Sequence, residues 1–147
     1  MILFCDTSAL IKLYVRESFT EEMLAAAAAA SQLAVCRIAW AEAMAALARR
    51  SRESPADADV IETVRHRLQS DWRDYVIMEV TQALVELAGD YADTFALRGY
   101  DSVQLASALM LSQASRAPVQ FACFDRRLEK AARVLGLEPA FGADVGF

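Results

Sequence analysis

The apolar positions of the chain fall into short blocks whose spacing alternates between two kinds. Met1 to Cys5 is a continuous apolar run ended by Asp6-Thr7-Ser8, and a helix-like segment follows over Ala9 to Val15, so the opening reads strand, turn, helix. Thr20-Glu21-Glu22-Met23 starts a second, alanine-rich helix to about Ser31, with both glutamates at its positive end. Leu33 to Cys36 is a brief strand, and Ile38 to Arg52 a helix with Glu42 in its middle. Ser54-Pro55 reads as cap and first-turn proline of a polar helix running to about Asp71. Tyr75 to Val80 has strand composition. Thr81 caps a helix over Gln82 to Leu97, which Gly99 breaks. Asp101 opens a helix to Ser115, Val119 to Phe124 is a strand after Pro118, and Arg126 to Leu135 is a last helix closed by Gly136. Short apolar strands alternating with helices predict a parallel sheet covered on both faces, in a single domain spanning residues 1–147.

Composition sharpens this reading. The hydrophobic fraction of 56% lies above the usual ~45–50%, much of the excess being alanine, which suits close-packed helices and leaves apolar surface for a partner. Asp6 interrupts the first apolar run before it can serve as a secretory signal, and stretches such as Met23 to Cys36 fall short of the ~20 residues of a membrane span. The expectation is a soluble, cytoplasmic protein that does not enter a membrane. Cys5, Cys36 and Cys123 have no paired spacing and read as reduced thiols in the core, and the lone His66 suggests no zinc site.

Four carboxylates stand almost alone in apolar sequence. Asp6 is the only charged side chain from Met1 to Ile11, Glu42 the only one between Arg37 and Arg49, and Asp101 the only one between Arg98 and Arg116; Asp125 ends the run Val119 to Phe124. Burying an isolated carboxylate costs several kcal/mol unless it is paired or binds a cation, so the four are expected to meet at one place. Asp6 and Asp125 also follow predicted strands, at the sheet edge where open α/β proteins bind ligands. Asp6, Asp101 and Asp125 each stand where a helix begins and read equally as N-caps; Glu42, mid-helix with only Ile38, Ala39, Ala45 and Ala46 three or four residues away, has neither a cap nor a local ion pair to explain it. Oxygen ligands of this kind suit Mg²⁺ or Mn²⁺, which activates water, orients a phosphodiester and neutralises the leaving oxygen. The net charge of −5 does not oppose a polyanionic substrate, because setting the four acids aside leaves 15 basic against 16 acidic side chains. Thirteen of the basic residues are arginine, whose forks suit phosphate. Arg126, Arg127, Lys130 and Arg133, Lys12 and Arg16, and Arg49, Arg50 and Arg52 are the candidates for phosphate contact.

The segments Phe4-Cys5-Asp6-Thr7-Ser8-Ala9-Leu10, Glu42, Arg98-Gly99-Tyr100-Asp101-Ser102-Val103-Gln104-Leu105-Ala106 and Phe121-Ala122-Cys123-Phe124-Asp125-Arg126-Arg127-Leu128 together resemble a PIN domain, and more narrowly the VapC toxins of bacterial toxin-antitoxin pairs. The resemblance spans essentially the whole chain. It implies a three-layer α/β/α domain with a central parallel sheet of about four to five short strands, and a Mg²⁺- or Mn²⁺-dependent endoribonuclease. Asp6, Glu42, Asp101 and Asp125 take the catalytic and metal-binding places, Asp6 and Asp101 foremost, and Ser8 orients a carboxylate from behind. It further implies an RNA substrate such as tRNA or another structured RNA, a cognate antitoxin and a homodimer. Cys123 departs from the pattern, since members often carry Ser or Thr there and a thiol donates weakly.

Two other acid-rich α/β families fit less well. A receiver domain wants adjacent acids after the first strand and a late lysine, and a haloacid-dehalogenase-type phosphatase wants an acid where Ser8 stands. The remaining alternative is a non-catalytic PIN-like interaction module, which has no need of all four acids.

Overall fold

The computed structural model describes residues 1–142 and 145–147. Five strands form one parallel sheet: β1 (Ile2–Cys5), β2 (Gln32–Cys36), β3 (Val76–Met78), β4 (Val119–Ala122) and β5 (Glu138–Pro139), in the order β3-β2-β1-β4-β5. β1 lies at the centre, paired to β2 through Leu3 and Leu33 and to β4 through Phe4 and Phe121. Every residue of β1 is buried, as a strand covered on both faces requires.

Successive side chains of β1 serve opposite layers. Leu3 and Cys5 join Val35 and Ala122 in a core closed by α1 (Thr7–Lys12), α2 (Thr20–Ala29), α3 (Ala39–Glu53) and α4 (Ala58–Asp71). Ile2 and Phe4 join Phe121, Leu105 and Leu128 under α6 (Gly99–Ala114) and α7 (Arg126–Val134), and α5 (Gln82–Phe95) packs behind α6 through Leu84, Ala88 and Ala106. This is the three-layer α/β/α arrangement expected.

Several local expectations need correction. Ser54 makes no side-chain capping bond, and Pro55–Asp57 is a single 3₁₀ turn before α4. Gly99 does not terminate α5. The left-handed residue there is Ala96 (φ 53°), and Gly99 is instead the first residue of α6. Asp101 sits in the first turn of α6 without capping it, whereas Asp6 and Asp125 do cap α1 and α7, accepting from the Ala9 and Leu128 amides. Glu42 lies in the first turn of α3 rather than in its middle. Gly136 does take a positive φ, 81°, after α7.

Candidate active site

Strand order reverses about β1, whose neighbours β2 and β4 are reached by chains that leave toward opposite faces. The gap beyond the carboxyl ends of β1 and β4 is the switch point at which such sheets bind ligands. Asp6 and Asp125 flank that gap. A cavity of about 280 Å³ opens there, and all four isolated acids line it together with Thr7, Ser8, Arg98 and Gln104.

Asp6 is fixed most firmly. Its amide donates to the Ala122 carbonyl at 3.0 Å, prolonging the β1–β4 ladder, and its Oδ1 accepts from the Ala9 amide at 2.8 Å and from Ser8 Oγ at 2.7 Å. The residue is only 5% exposed. Burial pushes its carboxyl from the ordinary 3.8 up to about 7; the Ala9 and Ser8 bonds pull downward, and the charges of Asp101 and Glu42 push up again.

Glu42 belongs to a closed ring of three side chains drawn from both helical layers. Its Oε1 accepts from Thr7 Oγ1 at 2.8 Å and from Gln104 Nε2 at 2.8 Å, while Gln104 Nε2 also reaches Thr7 Oγ1 at 3.1 Å. Gln104 is 2% exposed, and its own Oε1 is the one buried side-chain polar atom without a partner among the described residues. The amide orientation follows from charge, since turning Oε1 toward Glu42 would set two acceptors against each other.

Asp101 accepts from Arg98 Nε at 2.8 Å, and Asp125 Oδ1 is held by the Leu128 amide at 2.9 Å. With Asp101 turned to Arg98 and Glu42 to Thr7 and Gln104, no three His, Cys, Asp or Glu side chains among the described residues close on a point that would hold one ion. The donor set nevertheless suits a hard divalent cation, being all carboxylate oxygen around a pocket where like charges already disfavour ionisation of Asp6. A cation bound there would compete with Arg98 for Asp101. Cys123 lies outside this set: it is 2% exposed in the core with Phe121 and Leu128, and burial pushes its thiol up.

The basic candidates divide. Lys12 is buried, 2.9 Å from Glu17 and over the Phe124 ring at 4.7 Å, so it is withdrawn from any phosphate. Arg16 pairs with Glu21, Arg49 with Glu53 and Arg50 with Glu17. Arg126, Arg127 and Lys130 are exposed on α7.

Thr7, Gln104 and Arg98 were not singled out as site residues from sequence. A signal for Gln104 exists: it falls one helical turn after Asp101 in an otherwise apolar stretch, and so shares that acid's face.

The model of the PIN domain family matches residues 3–134. The chain is similar to Ribonuclease VapC45 and Ribonuclease VapC49 from two strains of Mycobacterium tuberculosis, in each case 31% identical over 143 residues, covering 95% of this chain and 94% of the relative. Among solved structures it resembles a chain of a toxin-antitoxin complex from Klebsiella pneumoniae, with a TM-score of 0.62 and 20% identity over 96% of this chain and 98% of that one. It also resembles a Pyrobaculum aerophilum protein, with a TM-score of 0.50 and 18% identity over 92% and 98% of the two chains.

Proposed function

The chain belongs to the PIN domain family, and from that premise we propose that it is a divalent-metal-dependent endoribonuclease of the VapC toxin type, hydrolysing phosphodiester bonds of RNA and held in check by an antitoxin. One observation above all supports the reading: acids from four separate elements, Asp6, Glu42, Asp101 and Asp125, line one cavity at the switch point of the sheet. A non-catalytic module has no use for such crowding, which makes metal-free Asp6 costly to ionise.

Asp6, Asp101, Glu42 and Asp125 would hold Mg²⁺ or Mn²⁺, which when bound supplies an activated water and neutralises charge developing on the phosphate. The residues set the geometry. Ser8 and the Ala9 amide occupy Oδ1 of Asp6, so the carboxylate is oriented by bonds to one oxygen while the other carries no bond from a described residue. Thr7 and Gln104 do the same for Glu42, occupying Oε1. Helix α7 fixes Asp125 through its cap. Preorganised carboxylates of this kind lower the reorganisation that the reaction otherwise requires.

RNA cleavage by purified protein with Mg²⁺ or Mn²⁺, free of any copurified partner, tests the proposal. Asp6→Asn and Asp101→Asn are expected to keep the fold and abolish both cleavage and growth inhibition. A wild-type protein that cleaves no RNA, total tRNA included, while folded and metal-loaded would leave the interaction module as the better reading.

A further inference from the structure

Two cavities flank the acid pocket, and they differ in charge. On the side of α1 and α3 a groove of about 750 Å³ shares Thr7, Ser8, Glu42 and Arg98 with the pocket. Its other guanidiniums are already matched, Arg50 standing 3.1 Å from Glu17 and Arg49 2.9 Å from Glu53. On the side of α6 and α7 a cavity of about 330 Å³ shares Arg98, Asp101 and Asp125 with the pocket and adds Arg126 and Arg127. Both of its acids belong to the metal-binding set proposed above, so its outer wall is guanidinium.

Those guanidiniums keep donors free. Arg127 Nη1 donates to the Ala96 carbonyl at 3.0 Å and Arg126 Nε to an oxygen of Phe147, one N–H of five in each case, and no side-chain carboxylate among the described residues pairs with either. The Ala96 contact holds Arg127 in place, which lowers the entropy lost on seating an anion. Arg126 also borders the next cavity along α7, where Arg133 is paired with Glu129 and Lys130 adds a further positive charge.

We propose that the cavity of Arg98, Arg126 and Arg127 is the binding site for the RNA phosphate adjacent to the scissile one, and that the strand leaves the acid pocket across the start of α7 rather than along the α1–α3 groove. The inference rests on the nuclease reading of the acid pocket. Arg98 stands at the boundary of both sites, its partner Asp101 being one of the proposed metal ligands, so metal binding at Asp101 frees the guanidinium for phosphate.

The test measures binding of a short labelled single-stranded oligoribonucleotide by fluorescence anisotropy in EDTA across a KCl series. It compares wild type, Arg126→Gln/Arg127→Gln, Arg126→Gln alone and Arg49→Gln/Arg50→Gln. The carboxylates are the same in every variant, so differences in slope read the guanidiniums alone. Single-strand binding loses about 0.7 in the slope of log affinity against log salt for each phosphate contact removed, so the α7 double variant, which empties a site for one phosphate, is expected to fall by ~0.7, and the single, which leaves Arg127 on that phosphate, by less. The α3 double variant is expected to match wild type. Arg126→Gln leaves the Ala96 contact intact and keeps the test valid if the double variant melts early. Unchanged slopes in both α7 variants, or a loss carried by the α3 pair, would overturn the site. Cleavage separates the two readings: a wild type that cuts RNA with α7-independent slopes rejects only the phosphate site, and a wild type that binds with α7-dependent slopes but never cuts rejects only the nuclease.

Discussion

Gln104 shows how much a single buried amide can govern. Its Nε2 spends two bonds on Thr7 and Glu42 while Oε1 has none, so the side chain is retained at a site where leucine would bury more cheaply. Gln104→Ala is expected to lower kcat roughly 10- to 100-fold with a smaller effect on KM, the range seen when the partner of a metal-binding carboxylate is removed. Single-turnover cleavage checks this, and an unchanged kcat would show that Glu42 does not depend on the ring. Asp6 makes a second case. In the metal-free folded chain its proton is held up to about pH 7, whereas the unfolded chain releases it near 3.8. The folded state therefore binds more protons between those values, so this contribution to stability is complete below about pH 4, falls as pH rises and levels off above about pH 7. Melting in EDTA should decline across that window in wild type and flatten in Asp6→Asn, and an equally steep Asp6→Asn profile would place the titration elsewhere. The isolated acids were legible in sequence because burying a charge is costly enough to leave a mark on composition. Thr7 and Gln104 were not, since an uncharged polar side chain among apolar ones fits a surface position equally well until its partners, 35 and 62 residues away from Glu42, are known.

Helix starts carry the site, and they are also where local sequence pattern says least about the fold. Asp125 both caps α7 and lines the acid pocket, and asparagine separates the two roles because its carbonyl accepts the Leu128 amide as well as a carboxylate does. Asp125→Asn should leave the metal-free melting point nearly unchanged while cleavage is lost, whereas Asp125→Ala should in addition cost about 1 kcal/mol of stability. Thermal melts read beside activity distinguish the two, and retained cleavage in Asp125→Asn would remove that acid from the catalytic set. Glu42 stands one turn into α3 rather than at its middle, and from there it lines the pocket beyond the carboxyl edge of the sheet. The turn after α5 was legible only in part. Gly99 marks the interruption, but the left-handed residue is Ala96, a choice that local propensity does not favour. β5, two residues including Pro139, is too short for any periodicity to reveal.

The three layers and the parallel sheet followed from alternation alone, because strands apolar on both faces have few other ways to be buried. Strand order did not, since no local pattern records that β4 returns to lie beside β1. Saturating Mg²⁺ or Mn²⁺ is expected to raise the melting temperature of the full chain, a cation at a hundredfold excess over its Kd being worth about 2.7 kcal/mol, with the gap shrinking in Asp6→Asn. Identical wild-type curves with and without metal would mean that the acids do not act together. Light scattering at micromolar concentration is expected to show a dimer, and a strict monomer would overturn that expectation. The β1–β4 pairing has a consequence for how the site comes together. Asp6 is fixed by Ala122 and shares its cavity with Asp125, partners 116 and 119 residues further along the chain. The pocket therefore has no local nucleus, and a segment that stops short of β4 cannot assemble it.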